Sequence, residues 1–123
     1  MIYCGRGIYN ISSMFYYNES LNKVIFLEGF NTENVIFMFS MFAFCSSLTD
    51  LNLSKFNTGE VVNIRYMFVG CKKLEKLNLS SFDEANSLEG LNEMFKGCNT
   101  DVELITLNKE INEEIDKVRN KKT

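Results

Sequence analysis

Apolar residues in the middle of the chain follow the same spacing twice. Residues 35–56 and 61–82 each hold nine apolar positions, and the two sets match without a gap. Up to a shared cysteine the steps are three, three, one and three, which keeps one face of a helical segment apolar. A later Leu-x-Leu step of two is typical of a strand with one buried face. The matching residues are Val35, Met38, Met41, Phe42, Cys45, Leu48, Leu51, Leu53 and Phe56, and Val61, Ile64, Met67, Phe68, Cys71, Leu74, Leu77, Leu79 and Phe82.

Partial copies of this pattern flank the two full ones. The Met-Phe pair recurs in steps of 27, 26 and 27 residues, so the chain is a repeat array. The pairs begin at Met14, Met41, Met67 and Met94.

The outer copies depart from the pattern. In the first copy Asn18 replaces the cysteine, and one inserted residue, Val24, brings Ile25, Leu27 and Phe30 into line. The fourth copy keeps Leu88, Leu91, Met94, Phe95 and Cys98 and then has Asp101 at a leucine position. These departures lie in the first and last copies, and the two middle copies keep the full pattern.

The spacing within each copy predicts a helical turn, a short strand and a bend. Such a unit cannot bury its apolar face alone, so neighbouring units are expected to stack. The sequence therefore predicts an α/β solenoid of about four units of 26–27 residues. It would have a short parallel β-sheet on one face, helical turns on the other and a C-terminal capping helix.

A longer motif carries a family resemblance. Met-Phe-x-x-Cys-x-x-Leu-x-x-Leu-x-Leu-Ser-x-Phe-(Asn/Asp) runs from Met41 to Asn57 and again from Met67 to Asp83. This motif closely resembles the BspA-like leucine-rich repeat, over residues 1–100. The resemblance implies a leucine-rich-repeat fold and a role in surface display, adhesion or protein recognition.

The last residues differ in composition from the repeats. Leu107, Ile111, Ile115 and Val118 form an apolar stripe at helical spacing, and basic residues close the segment. We therefore expect two regions, a leucine-rich-repeat solenoid at 1–100 and a degenerate last strand with a capping helix at 101–123.

The chain opens in the middle of a repeat. Counted back from Met14, Tyr3 holds the place of Phe30 and Phe56. Either Met1–Tyr3 forms an incomplete edge rung, through which the chain could self-associate, or the chain is a piece of a longer array. The sequence leaves both alternatives open.

Composition argues against several classes of function. The net charge of −3 gives no support to a nucleic-acid partner, and no segment reaches the roughly 18 uninterrupted apolar residues of a membrane helix. With no histidine, the Ser-His and Cys-His nucleophiles are absent. We expect a non-enzymatic protein with no catalytic residues, no metal and no cofactor.

Three of the four cysteines share one repeat position. Stacked units would bring Cys45, Cys71 and Cys98 close together, but their spacing of 26 and 27 residues matches no zinc-ligand pattern. Buried free thiols are the favoured interpretation.

The outward side of the predicted strands is the favoured binding surface. Its residues alternate with the buried leucines, and solenoid sheet faces commonly bind other proteins. The candidate partner-binding residues are Phe26, Glu28, Asp50, Asn52, Ser54, Lys76, Asn78 and Ser80.

Two functions fit this sequence. The first is a protein–protein interaction module that presents the strand face to a partner, in adhesion or recognition. The second is an architectural subunit of a larger assembly, viral or cell-surface, packed through its end rungs. The cellular location stays open: no signal peptide is found, the resemblance suggests a cell-surface or secreted protein, and free thiols are compatible with the cytoplasm.

Overall fold

The computed structural model describes residues 4–5, 7–85 and 88–121. Regular elements are few and short, and most of the described residues lie in turns and irregular segments. The strands are β1 (Asp50–Asn52), β2 (Lys76–Asn78) and β3 (Glu103–Ile105), the single-turn 3₁₀ helices are Ser80–Phe82 and Leu91–Glu93, and the α-helix is α1 (Lys109–Asn120). The predicted edge rung at Met1–Tyr3 lies outside the described residues.

The predicted fold class is wrong. A leucine-rich-repeat α/β solenoid requires a helical turn and a strand in each of its units. Within the described ranges the structure has one α-helix, after the repeated segments, and one small sheet of three parallel strands. Turns occupy most of the residues for which the spacing predicted helical segments.

Left-handed backbone explains why these segments are not helical. Ser13 (φ 60°) and Tyr17 (φ 62°) lie four residues apart, as do Ser40 (φ 56°) and Phe44 (φ 60°). A left-handed residue in each turn interrupts a right-handed helix. Alternate backbone amides there donate to carbonyls of the next repeated segment, and amides between them, such as that of Tyr16, donate to carbonyls of their own segment. The donors Ile11, Ser13, Phe15 and Tyr17 pair with the acceptors Phe37, Phe39, Met41 and Ala43, at 2.9–3.0 Å.

The three strands pair in parallel at equivalent repeat positions. Leu51 faces Leu77 across the first pair, and Leu77 faces Leu104 across the second. Leu51 and Leu77 are buried, because successive side chains of a strand point to opposite faces. A bridge from Lys23 to Asp50 continues the pairing to the first segment.

A column of phenylalanine rings runs through the core. Phe15, Phe42, Phe68 and Phe95 stack in order, with ring centroids 5.4, 5.9 and 5.9 Å apart. All four are buried. The nine apolar positions of each full copy are buried as well, so their prediction as core residues is confirmed.

The predicted orientation of the first segment is wrong. The sequence placed Ile25 and Leu27 in the core and Phe26 outside, but Ile25 is 74% exposed and Leu27 68% exposed. Val24 and Phe26 instead pack against the core. Since Lys23 pairs with Asp50, Val24 rather than Ile25 takes the position of Leu51. A shift of one residue reverses the faces of a strand.

Helix α1 is fastened to the last repeated segments at both ends. At its start, the Asn108 side chain accepts from the Ile111 amide at 3.1 Å and donates to the Phe82 carbonyl at 2.8 Å. At its end, the Arg119 guanidinium donates to the Val102 carbonyl. Leu107, which the sequence placed on the apolar stripe, precedes the helix and is 85% exposed. The division into two regions at residue 100 stays a prediction.

Candidate functional site

The sheet brings several of the predicted binding residues together. Asp50 pairs with Lys76, and Asn52 pairs with Asn78. Lys23 and Glu103 extend the first pair, so charges alternate in sign across neighbouring strands. Opposite charges at such positions stabilise a sheet modestly. These charges therefore have a structural use on the strand face.

The two strand-face asparagines also have a structural use. The Asn52 side-chain oxygen accepts from the Ser54 amide at 2.9 Å, and Asn78 accepts from the Ser80 amide at 3.0 Å. In this Asx turn the side chain ends the strand by bonding two residues on. The recurrence of Asn-Leu-Ser is thus explained without a ligand.

The predicted binding residues do not all line the same groove. Phe26 is half-buried, with its ring centroid 4.8 Å from that of Phe30 and 4.9 Å from that of Phe56. It lines a shallow groove together with Asp50, Asn52 and Ser54. Glu28, Lys76, Asn78 and Ser80 are not among the residues that line this groove. The sequence placed Phe26 on the exposed side of the strand, and that placement is wrong because its ring belongs to an aromatic cluster. Its role in partner binding stays a prediction.

A second surface, which the sequence interpretation missed, carries exposed aromatic rings. Tyr17 and Phe44 have ring centroids 5.0 Å apart. Tyr16 lies edge-on to both, at 5.4 Å from Tyr17 and 6.1 Å from Phe44. Tyr66 follows on the next segment, with the Arg65 guanidinium 5.8 Å from its ring centroid. All four rings are exposed to solvent. We call Tyr16, Tyr17, Phe44 and Tyr66 the aromatic surface.

One repeat position shapes this surface. Tyr17, Phe44, Gly70 and Gly97 are equivalent, and all four adopt left-handed φ values of 60–73°. The backbone amides of the first three donate to the next segment at 2.7–2.9 Å, so this conformation belongs to the turn. Glycine adopts it freely, whereas a residue with a Cβ loses about 1–2 kcal/mol. Tyr17 and Phe44 are therefore strained where Gly70 and Gly97 are not.

The change from aromatic residues to glycine forms a groove. The Phe44 ring lies over Gly70, where an added Cβ would be only 2.5 Å from a ring carbon. Beyond Gly70 the absence of side chains leaves a depression of about 660 Å³, within the range of known ligand pockets. The lining includes Tyr16, Phe44 and Tyr66, with Val69 and Lys96 beside them. We call this depression the aromatic groove.

A signal for the groove was present in the sequence. Tyr16, Tyr17, Phe44 and Tyr66 occupy none of the nine apolar repeat positions. Aromatic residues left over after the core positions are assigned are candidates for exposure. The sequence interpretation named one aromatic residue, Phe26, as a surface candidate.

The four thiols are not arranged for chemistry. Cys4, Cys45, Cys71 and Cys98 are free and buried. Burial raises the pKa of all four, and it raises the pKa of Cys98 to about 11. Since the thiolate is the reactive form, burial makes these groups poor nucleophiles at neutral pH.

The part of the chain that the structure describes has neither a candidate metal site nor a candidate membrane helix. Nowhere in that part do three or more Cys, Asp or Glu side chains cluster in a way that could hold a metal ion. None of its helices combines the length and the apolar character needed to cross a membrane.

Comparison with known proteins gives one match. No curated protein and no solved structure is significantly similar to this chain. A family model matches residues 5–117, which include all the repeated segments and most of α1. The resemblance to BspA-like repeats stays a hypothesis beside this match. The chain belongs to the family described as "Mycoplasma protein of unknown function, DUF285".

Proposed function

We propose that this protein is a non-enzymatic protein-binding module whose contact site is the aromatic groove. The observation that carries the proposal is the choice of residue at one backbone position. Phe44 and Tyr17 keep aromatic side chains at a left-handed position where Gly70 and Gly97 avoid the strain. Backbone strain that is retained at an exposed site supports a functional role for the side chain.

The composition of the surface supports the same proposal. Tyrosine and other aromatic residues dominate the energetics of protein interfaces, because they bury a large area at a small entropic cost. The rings of Tyr16, Tyr17 and Phe44 contact one another and are partly pre-ordered. Pre-ordering lowers the entropy that a side chain loses on binding. The resemblance to BspA-like repeats adds surface adhesion or recognition as the biological setting.

A selection from a random peptide library displayed on phage tests the proposal and does not require an identified partner. Enriched peptides are expected to bind the unmodified protein and to bind Phe44→Gly at least about tenfold more weakly, a loss of about 1.4 kcal/mol. The matched control is Ile25→Ser, which removes an exposed apolar side chain from the strand-face side. Equal binding of the selected peptides to Phe44→Gly would contradict the proposal, as would a selection without enrichment.

A second function is favoured by one specific observation. Ile25 and Leu27 are exposed, in the segment that lies outside β1. An architectural subunit could use this aliphatic pair to contact another copy, because exposed apolar patches mark association sites. Light scattering of the purified chain over a wide concentration range tests it. This function predicts a mass that rises with concentration and returns to that of the monomer in Ile25→Ser/Leu27→Ser. A mass that stays monomeric at all concentrations excludes it.

A further inference from the structure

Lysine side chains border the aromatic groove on one side. Lys72 and Lys96 both line it and are exposed. Lys121 lies across a neighbouring depression that shares Lys72 and Gly97 with the groove. Among the described residues that line the groove, Glu93 is the one with an acidic side chain. Two lysines and one glutamate thus line the groove, although the chain as a whole has a net charge of −3.

Arg65 adds a fourth positive charge at the Tyr66 end. Its guanidinium lies 5.8 Å from the Tyr66 ring centroid, a cation–π distance. The Arg65 backbone packs tightly against Gly90, where an added Cβ would be 2.5 Å from the Arg65 Cα. The tight packing fixes the position from which the arginine side chain extends. Positive charge thus borders an aromatic and apolar depression.

Several residues that line the groove are apolar. They include Ala43, Val69 and Gly70, together with the Phe44 and Tyr66 rings. Such a lining suits an apolar side chain in contact with the rings. Carboxylates next to that side chain would then lie within reach of the lysines. The arrangement is complementary to an apolar anchor flanked by acidic residues.

We propose that the aromatic groove binds an extended acidic peptide segment of a partner protein, held by one apolar anchor side chain. This inference rests on the proposed function and specifies the class of partner. The anchor packs between Phe44 and Tyr66, and the acidic residues pair with Lys72 and Lys96. Complementary charge at an interface speeds association and makes it sensitive to salt.

Single-stranded nucleic acid also binds aromatic residues next to lysines, through bases stacked on ring faces. The ring geometry disfavours it here. Tyr16 meets Tyr17 at 65° and Phe44 at 83°, so ring edges and faces alternate instead of forming parallel platforms. A peptide is therefore the favoured occupant.

Fluorescence anisotropy with three labelled twelve-residue peptides tests the proposal. Each has a central Leu, flanked by Glu in the first peptide, by Ser in the second and by Lys in the third. The Glu peptide is expected to bind at least about tenfold more tightly than the Ser peptide, with affinity that falls as salt is raised. The Lys peptide is expected not to bind. A dT₁₂ oligonucleotide serves as the nucleic-acid probe.

Matched variants locate the site. Lys72→Glu/Lys96→Glu should weaken binding of the Glu peptide at least about tenfold, whereas Lys55→Glu, at an exposed lysine outside the groove, should leave it unchanged. Phe44→Gly should weaken binding of the Glu peptide by a similar factor, and Ile25→Ser should leave that binding unchanged. Circular dichroism of every variant checks that it remains folded.

The other outcomes overturn the inference in distinguishable ways. If the Ser peptide binds as tightly as the Glu peptide and depends on Phe44, the acidic class of partner is wrong while the proposed function stands. If dT₁₂ binds in a Phe44-dependent manner and no peptide does, the occupant is nucleic acid. If Phe44→Gly changes no binding, both the inference and the proposed function are wrong.

Discussion

The strand face and the aromatic surface are built from the same repeat but use it differently. On the strand face, Asp50 and Lys76 pair across neighbouring strands, and the Asn52 oxygen bonds to the chain two residues on. The positions of these polar groups have a structural explanation. On the aromatic surface, Tyr17 and Phe44 keep exposed rings on strained backbone. The difference separates side chains that the fold explains from side chains that it does not.

The comparison teaches where to look for function in a repeat protein. Polar residues that recur in every copy, such as Asn52 and Asn78, serve a turn that every copy needs. A residue type that changes at a fixed backbone conformation, as from Phe44 to Gly70, is not dictated by that conformation. The second kind of position is the better candidate for binding.

The largest expected effect comes from the core on which both surfaces rest. Phe68 is fully buried, and its ring stacks on Phe42 and Phe95, each with a centroid distance of 5.9 Å. Phe68→Ala should lower the free energy of unfolding by about 3–5 kcal/mol, through lost burial and the cavity that remains. Urea denaturation measures it. The control is Phe39→Ala, at an exposed ring, which should lower the free energy of unfolding far less. Equal losses of stability in the two variants would contradict the assigned core.

Alkaline pH should weaken the same core without a mutation. Burial raises the pKa of the four thiols, for Cys98 to about 11, above the value of about 8.5 that a thiol has in the unfolded chain. Below pH 8.5 both states keep the proton, and the contribution to stability is complete. As pH rises from about 9 toward 11, the unfolded chain ionises first, and Cys98 lowers the free energy of unfolding by up to about 1.4 kcal/mol per pH unit. The other three thiols act in the same direction.

Urea denaturation under reducing conditions at pH 8, 9 and 10 measures this dependence. Cys71→Ala is the control, since it removes the thiol that is buried between Cys45 and Cys98. Its pH dependence should be shallower by the contribution of one thiol. An identical slope in the variant would show that other groups cause the alkaline loss.

The smallest of the three effects on stability is expected on the strand face. Asn52→Ala removes the side-chain acceptor for the Ser54 amide and should cost about 0.5–1.5 kcal/mol. Binding of the Glu peptide should not change. The control is Lys55→Ala, at an exposed neighbour, which should change the free energy of unfolding by no more than about 0.5 kcal/mol. Weaker peptide binding by Asn52→Ala would return the strand face to consideration as the contact site.

Apolar spacing was a reliable guide to the core and an unreliable guide to the backbone. Phe42, Phe68 and the leucines of both full copies are buried as expected, because their spacing reflects which side chains avoid water. The same spacing suggested helical turns, since Ser40 and Phe44 give no signal of left-handed backbone. Gly70 and Gly97 did carry that signal, at equivalent positions in later copies.

The candidate site was harder to predict than the core. Phe26 was placed on the wrong face by one inserted residue, and a one-residue shift cannot be resolved where Val24, Ile25, Phe26 and Leu27 are all apolar. The aromatic groove depends on the Phe44 ring lying over Gly70, a contact between copies 26 residues apart. The exposed tyrosines were visible in the sequence, but the groove needed the packing of neighbouring segments.

One paired measurement on Phe44→Gly tests the central claim most directly. Its free energy of unfolding and its affinity for the Glu peptide are determined on the same preparation. Relief of the left-handed strain offsets part of the lost ring packing, so we expect stability within about 1 kcal/mol of the unmodified protein and at least about tenfold weaker binding. A loss of several kcal/mol in stability with unchanged peptide affinity would contradict the account, because the Phe44 ring would then serve the fold and not a partner.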